Sequence, residues 1–225
     1  MRPTRNPNQM IVEGWDDVHS VVSIMRVFVE WPKDEASWPV HVHMGNGAED
    51  ILSEGVLVTY LKGSVVEAFG VILDADEDAN RRYGSVRTIC EPMFPTLPKE
   101  LPLDGVVVEN DHGKRLGVWI MPDNSSKGST ETFLRCLVPQ TSGILWDHAE
   151  KSVKIAEELG AAFSQNSWDK ACLRTWLAWQ DPPDLTPGIA IRKKLLDPQC
   201  SAATLFVEWF RRLYRLLPRT TLLMD

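Results

Sequence analysis

From Ala68 to Ile72 the chain reads AFGVI, apolar at every position, and the next six residues are LDADED. A short run with no polar alternation is what a strand buried on both faces requires, and such strands form the centres of parallel sheets covered by helices. The stretch VVEAFGVILDAD is therefore expected to be a central strand. Its end is unusual, because four carboxylates (Asp74, Asp76, Glu77 and Asp78) fall within five positions as the chain leaves the sheet.

The segments before it alternate in the same way. QMIVEG reads as a first strand that stops at Glu13 and Gly14. In DDVHSVVSIMRVFVEW, Val18, Val21, Val22, Met25 and Val29 have helical spacing, with Asp16 or Asp17 placed to stabilise the start. PVHVHM is a second strand, followed by a loop at Gly45 and Gly47. AEDILSEGVLVTYLK reads as an amphipathic helix with Gly55 as its weak point, and EDANRRYGSVRTIC as a third helix. Strand, helix, strand, helix, strand implies right-handed crossovers and a parallel sheet, with ligands at the carboxyl ends of the strands. Glu13, Asp74 and Asp76 then share one rim.

After the proline-rich MFPTLPKELP, DGVVVEN and KRLGVWIMPDN read as two strands joined by a turn at Asp111, His112 and Gly113. The remainder is helical: STETFLRCLV, SGILWDHAEKSVKIAEELGAAF, DKACLRTWLAWQ and SAATLFVEWFRRLYRLL. A loop with Pro182, Pro183 and Pro187 separates the last two. The expectation is a single α/β domain over 8–225, with a sheet-bearing core over 8–125 and a mostly helical C-terminal part over 126–225.

Composition narrows the function. With 225 residues, 44% hydrophobic and 24% charged, the chain can bury a real core. A net charge of −7 argues against holding nucleic acid by bulk positive potential, though a basic groove or a bridging cation remains open. Cys90, Cys136, Cys172 and Cys200 are far apart and read as free thiols in a reducing compartment. The opening MRPTRNPNQM has no apolar leader core and no stretch suits a bilayer, so a cytoplasmic protein with no membrane role is expected. There is no P-loop, no dinucleotide fingerprint and no nucleophile elbow.

Clustered carboxylates repel unless protonated or neutralised, and hard divalent ions with oxygen ligands are the usual remedy. Glu13, Asp74 and Asp76, with Asp78 beyond them, form a candidate Mg²⁺ or Mn²⁺ site. The plain alternative is a solvated acidic loop that caps the next helix.

IVEGWDD, followed much later by GVILDADED, resembles the signature of the TOPRIM fold, with a glutamate after the first strand and Asp-x-Asp after the third. LGVWIMPDN, STETFL and KACLRTWLAWQ resemble the DUF3226 family, a TOPRIM-like group, and the resemblance runs from about Gln9 to Phe210. It implies a TOPRIM-like, Rossmann-like sheet and divalent-metal phosphodiester chemistry on DNA or RNA. Glu13 is implied as acid/base or ligand, and Asp74 and Asp76 as metal-binding. TOPRIM nucleases of the overcoming-lysogenization-defect (OLD) type add acids for a second metal, for which Asp123 and Glu131 are the candidates here. Thr132 departs from the pattern, standing where a second acid is expected. A nuclease effector of phage defence beside a partner ATPase is one implied role. A nucleic-acid-binding or regulatory subunit, weak or inactive alone, is the other, and a phosphohydrolase of small nucleotides is a third.

Other residues have bland readings beside functional ones. His41 and His43 share a strand face and can bind a transition metal, but a half-exposed strand face explains them. His19, one turn into the first helix, can meet substrate or simply face outward. Lys127, in MPDNSSKGSTE, can meet a phosphate, and Lys170 can lend positive charge to the site. Trp176 and Trp179, three apart, read as core before base stacking. Arg211 to Arg219 carry four arginines, which read as a solvated basic face before a phosphate-tracking surface. The chain can also form a homo-oligomer.

Overall fold

The structure is a computed structural model that describes residues 5–219. Residues 1–4, where the leader reading begins, and 220–225, the end of the expected domain, lie outside the described residues. The strands β1 (Asn8–Val12), β2 (His41–Met44), β3 (Ala68–Asp74), β4 (Val106–Glu109) and β5 (Arg115–Met121) form one sheet in the order β2-β1-β3-β5-β4. All neighbours are parallel except β4 and β5, which form an antiparallel hairpin across the turn near Gly113. Strands β3 and β5 are central, in register from Ala68 opposite Arg115 to Asp74 opposite Met121. Every residue of β3 from Ala68 to Leu73 is buried, as its unbroken apolar run requires.

Helices α1 (Trp15–Phe28), α2 (Ala48–Ile51), α3 (Val56–Lys62) and α4 (Ala79–Cys90) follow β1, β2 and β3. The single helix expected over residues 48–62 is two, because Gly55 takes a left-handed φ of 88° that ends one helical path and begins another. The C-terminal part is helical, as expected: α5 (Thr130–Arg135), α6 (Gly143–Glu158), α7 (Trp168–Ala178), α8 (Pro187–Arg192) and α9 (Thr204–Tyr214). Helix α8 lies where a proline loop is expected. Pro187 occupies its first turn, where a missing N–H leaves no helical bond unmade.

Strand alternation divides the core in two. Met10, Val12, Ile72, Trp119 and Met121 face α1 and the C-terminal helices. Ile11, Phe69, Val71, Val118 and Ile120 face the layer that carries α2, α3 and α4. Helix α9 lies against β3 and β5, with Tyr214 Oη donating to the Gln9 carbonyl at 2.8 Å and Trp209 Nε1 to the Val106 carbonyl at 2.9 Å. The carboxyl ends of β1, β3 and β5 therefore open on one rim, which loops and the starts of α1, α2 and α5 surround. Among the described residues, no helix is long and apolar enough to cross a membrane.

Candidate functional site

At the end of β1, Glu13 turns toward β3. Its Oε1 accepts the backbone N–H of Asp74 at 2.8 Å, and its Oε2 accepts that of Ala48, at the start of α2, at 3.1 Å. One turn on, Asp17 accepts the N–H of Gly14 at 2.8 Å, which satisfies a donor at the start of α1. Asp74 Oδ1 accepts both the N–H and the hydroxyl of Thr130, at 2.8 and 3.2 Å. The next residue, Glu131, accepts the Ser129 hydroxyl at 2.9 Å and pairs with Lys170 Nζ of α7 at 3.2 Å.

These carboxylates sense one another. Burial pushes Asp74 well above the usual carboxylate range, and the charges of Glu13, Asp17 and Glu131 push it further, against the Thr130 N–H. Asp17 is raised by burial and then by Glu131, with the Thr130 hydroxyl opposing. Glu13 is raised mainly by burial, which the Asp74 N–H and Arg82 partly offset. Lys170 is raised by Glu131. The largest charge effects on Asp74 are all from acids, so the rim holds part-buried negative charge, which Arg82 at Glu13 and Lys170 at Asp17 only partly offset.

The rest of LDADED is divided among other tasks. Asp76 has a left-handed φ of 51°, and its main chain exchanges two hydrogen bonds with Gly128, at 2.9 and 2.8 Å. Its carboxylate pairs with Arg82, whose Nε donates to the Asp74 carbonyl at 2.9 Å. Asp78 caps α4 by accepting the Arg81 N–H at 3.0 Å, the structural task that the plain reading assigned to the whole segment. Asp123 accepts the amides and hydroxyls of Ser125 and Ser126 within its own loop. Burial alone would raise its pKa, but those four bonds hold it below the usual range.

Two acids that no motif of the sequence assigns to the site stand beside it, Asp17 among its acids and Asp169 behind Thr132. Asp17 is the third residue of α1, where the sequence shows it only as an acid at a helix start, and the structure has it accept the Gly14 N–H there. Asp169 had no local signal: it reaches over from α7 to accept the hydroxyl of Thr132, which itself accepts the Ser129 N–H at 2.9 Å. The position where a second acid is expected thus holds a threonine bonded to an acid from another helix.

Two pockets flank the Asp76–Glu77 turn. One, of about 650 Å³, is lined by Glu13, Asp78, Arg81 and Arg82 among others. The other, of about 360 Å³, brings in Lys127, Ser129, Trp168 and Asp169. Lys127 and Lys170 therefore border the site from the α5–α7 side. His19 packs edge-on against Trp15 at 4.3 Å, and its main chain lies against Gly188 of α8.

The remaining candidates are placed elsewhere. His43 is buried rather than half-exposed; its Nε2 lies 2.8 Å from Gln9 Oε1 and its ring 4.6 Å from that of Tyr60. Trp176 is core, but Trp179 is exposed and stacks on His148. Arg212, Arg215 and Arg219 pair with Asp104, Glu109 and Glu30, so the C-terminal arginines serve contacts within the chain.

Among the described residues, no three His, Cys, Asp or Glu side chains are gathered closely enough to hold a metal ion as they stand. No curated protein and no solved structure matches this chain. A family model described as "Protein of unknown function (DUF3226)" matches residues 7–215, nearly the whole length, and the chain belongs to that family.

Proposed function

We propose that the protein is a divalent-metal-dependent nuclease that hydrolyses phosphodiesters of DNA or RNA, with a TOPRIM-like site related to that of the OLD-type nucleases. The observation that carries this reading is the part-buried, mutually repelling set of Asp74, Asp17, Glu13 and Glu131 at the carboxyl rim. The donors fit Mg²⁺ or Mn²⁺ in chemistry: all are hard oxygens, and Mg²⁺ commonly takes only one or two carboxylates beside waters and phosphate oxygens. Asp74 would be the first ligand, since the largest charge effects on it all come from neighbouring acids. Glu131 and Asp17 stand next to it. When bound, the ion would neutralise the set, polarise the phosphate and ease deprotonation of a water.

The protein's own groups orient that chemistry. Two backbone N–H groups fix both oxygens of Glu13. Asp76 is held by its clamp to Gly128 and by Arg82, which also braces the end of β3. Lys170 restrains Glu131, and Lys127 offers a cation to a phosphate at the mouth of the neighbouring pocket.

A second reading has one observation in its favour. Because no three acids among the described residues form a ready cage, the chain also suits a nucleic-acid-binding or regulatory subunit whose site is completed by a partner, such as an ATPase. The deciding experiment incubates the pure protein with plasmid, single-stranded DNA and tRNA in Mg²⁺, Mn²⁺ or EDTA. Metal-dependent cleavage that is lost in Asp74→Asn supports the nuclease. Retained binding without cleavage in any metal moves the conclusion to the second reading.

A further inference from the structure

Cys136 closes α5, and Cys200 stands just before the turn that leads into α9. They are 64 residues apart in the chain, yet the Cys200 thiol donates to the Cys136 carbonyl at 3.6 Å. The main chain ties the same two segments together, the Asp197 N–H donating to the Leu137 carbonyl at 2.7 Å. Covalent geometry sets a carbonyl oxygen about 2.4 Å from its own Cα, so the Cys200 sulfur lies within about 6 Å of the Cys136 Cα. Disulfides span Cα separations of about 4.4–6.8 Å, and these segments approach on that scale. Cys136 is exposed and Cys200 half-buried, whereas Cys90 and Cys172 are buried. The Cys136 thiol donates to the Thr132 carbonyl, one turn back, at 3.6 Å. A thiol is a weak donor, so little is lost when that contact is given up.

We propose that Cys136 and Cys200 are a redox modification site and form a reversible disulfide, made when the Cys136 side chain turns from the Thr132 carbonyl toward Cys200. The oxidant is a low-molecular-weight disulfide such as oxidised glutathione. The exposed Cys136 thiolate attacks it, forming a mixed disulfide and releasing one glutathione thiolate. The Cys200 thiolate then attacks the Cys136 sulfur, and the second glutathione leaves. Two protein thiols give up two electrons, which reduce the oxidant to two thiols, and the two protons end on those leaving groups. Partial burial, with Cys200 next to it, raises the Cys136 thiol, which slows the first step without blocking it. In a reducing compartment such a bond is transient, as in a redox sensor. It closes a loop that holds α6, α7 and α8, and so fastens α7, with Asp169 and Lys170, to α5. Cys136 is about 9 Å along α5 from Thr130, which holds Asp74, so oxidation acts on the helix that positions the rim acids.

The test treats the reduced, folded protein with oxidised glutathione, blocks the remaining thiols with N-ethylmaleimide and maps tryptic peptides by mass without reduction. Trypsin puts the four cysteines in four different peptides, so every pairing is distinguishable. Wild type should lose two of its four thiols and yield the Cys136 and Cys200 peptides joined within one chain, with Cys90 and Cys172 still alkylated. Dithiothreitol should restore all four thiols. Cys200→Ser, checked for folding by circular dichroism, should stop at the glutathione adduct of Cys136, which shows that Cys200 is the resolving thiol. A wild type that stops at the same adduct overturns the proposal. So does a bond from Cys136 to a second chain, a link that forms only in urea, or no loss of thiols at all.

Discussion

The carboxylate of Glu13 accepts the backbone N–H of Asp74 at 2.8 Å, tying the end of β1 to the end of β3. The bond places a second carboxylate beside the part-buried Asp74 and adds to the repulsion there. Structure and strain meet at this one contact, and the consequences for the two residues differ in sign.

Asp74→Asn should stabilise the metal-free protein. The folded pKa of Asp74 is raised, so ionising it costs stability as pH rises from the unfolded value of 3.8 through the folded one, and the cost is complete above that. The amide oxygen of asparagine can still accept from Thr130. Thermal melts at neutral pH should show a higher Tm for the variant without metal. Mg²⁺ or Mn²⁺ should raise the Tm of wild type by several degrees, since a ligand at about a hundred times its Kd adds about 2.7 kcal/mol, and should raise that of the variant less. A destabilised variant beside a wild type indifferent to metal would leave Asp74 a purely structural group.

Glu13→Gln should act in the opposite direction. Both oxygens of Glu13 accept backbone N–H groups, and an amide has only one acceptor to offer. The other N–H would face an NH₂ and lose its partner, at a cost of about 1–3 kcal/mol. Urea unfolding at neutral pH should show a lower midpoint than wild type, and an unchanged or higher midpoint would refute the tie.

His43 should make the protein acid-sensitive. Burial, with His41 adding to it, pushes its pKa down to about 4 from 6.5. The unfolded chain therefore takes up the proton first, and stability falls as pH drops from 6.5 toward 4, by on the order of 3 kcal/mol. His43→Gln keeps a donor toward Gln9 and does not titrate. The difference in unfolding free energy between wild type and this variant, followed from pH 7 down to pH 4, isolates the effect from the carboxylates at the rim. A difference that does not change with pH would count against it.

Gly70 and Gly117 sit side by side on β3 and β5, directly beneath α9. A Cβ on Gly70 would run into the hydroxyl of Tyr214, and one on Gly117 into Leu213. Either alanine should cost about 1–3 kcal/mol by forcing α9 off the sheet. The tightest contact at Gly70 is the Tyr214 oxygen, with Met10 Cε and Leu213 Cδ2 next at 3.1 and 3.2 Å, so Gly70→Ala should cost less in a Tyr214→Phe background. Purely additive effects in that double-mutant cycle would place the strain elsewhere.

Local pattern was enough to find the sheet. The unbroken apolar run of β3 means burial on both faces wherever it occurs, and the alternation of strands with amphipathic helices leaves few arrangements other than a parallel sheet. The hairpin of β4 and β5 was readable from its turn. The division of residues 48–62 into α2 and α3 depended on how Gly55 is used, and α8 on whether Pro187 opens a helix or interrupts one. Residue type alone does not decide either, because glycine and proline each permit both outcomes.

The ends of β1 and β3, and with them the positions of Glu13 and Asp74, were set by where apolar residues stop. Which other acids would share that rim was decided only by tertiary packing. Asp78 and Asp123 have local amides and hydroxyls within reach and bond to them. Glu131 and Asp169 are brought in by helices more than fifty residues along the chain from β3, through Thr130 and Thr132. Burial follows from sequence pattern because it is a property of one segment and its faces. The convergence of charges is a property of several segments at once, and no single stretch of this chain contains it.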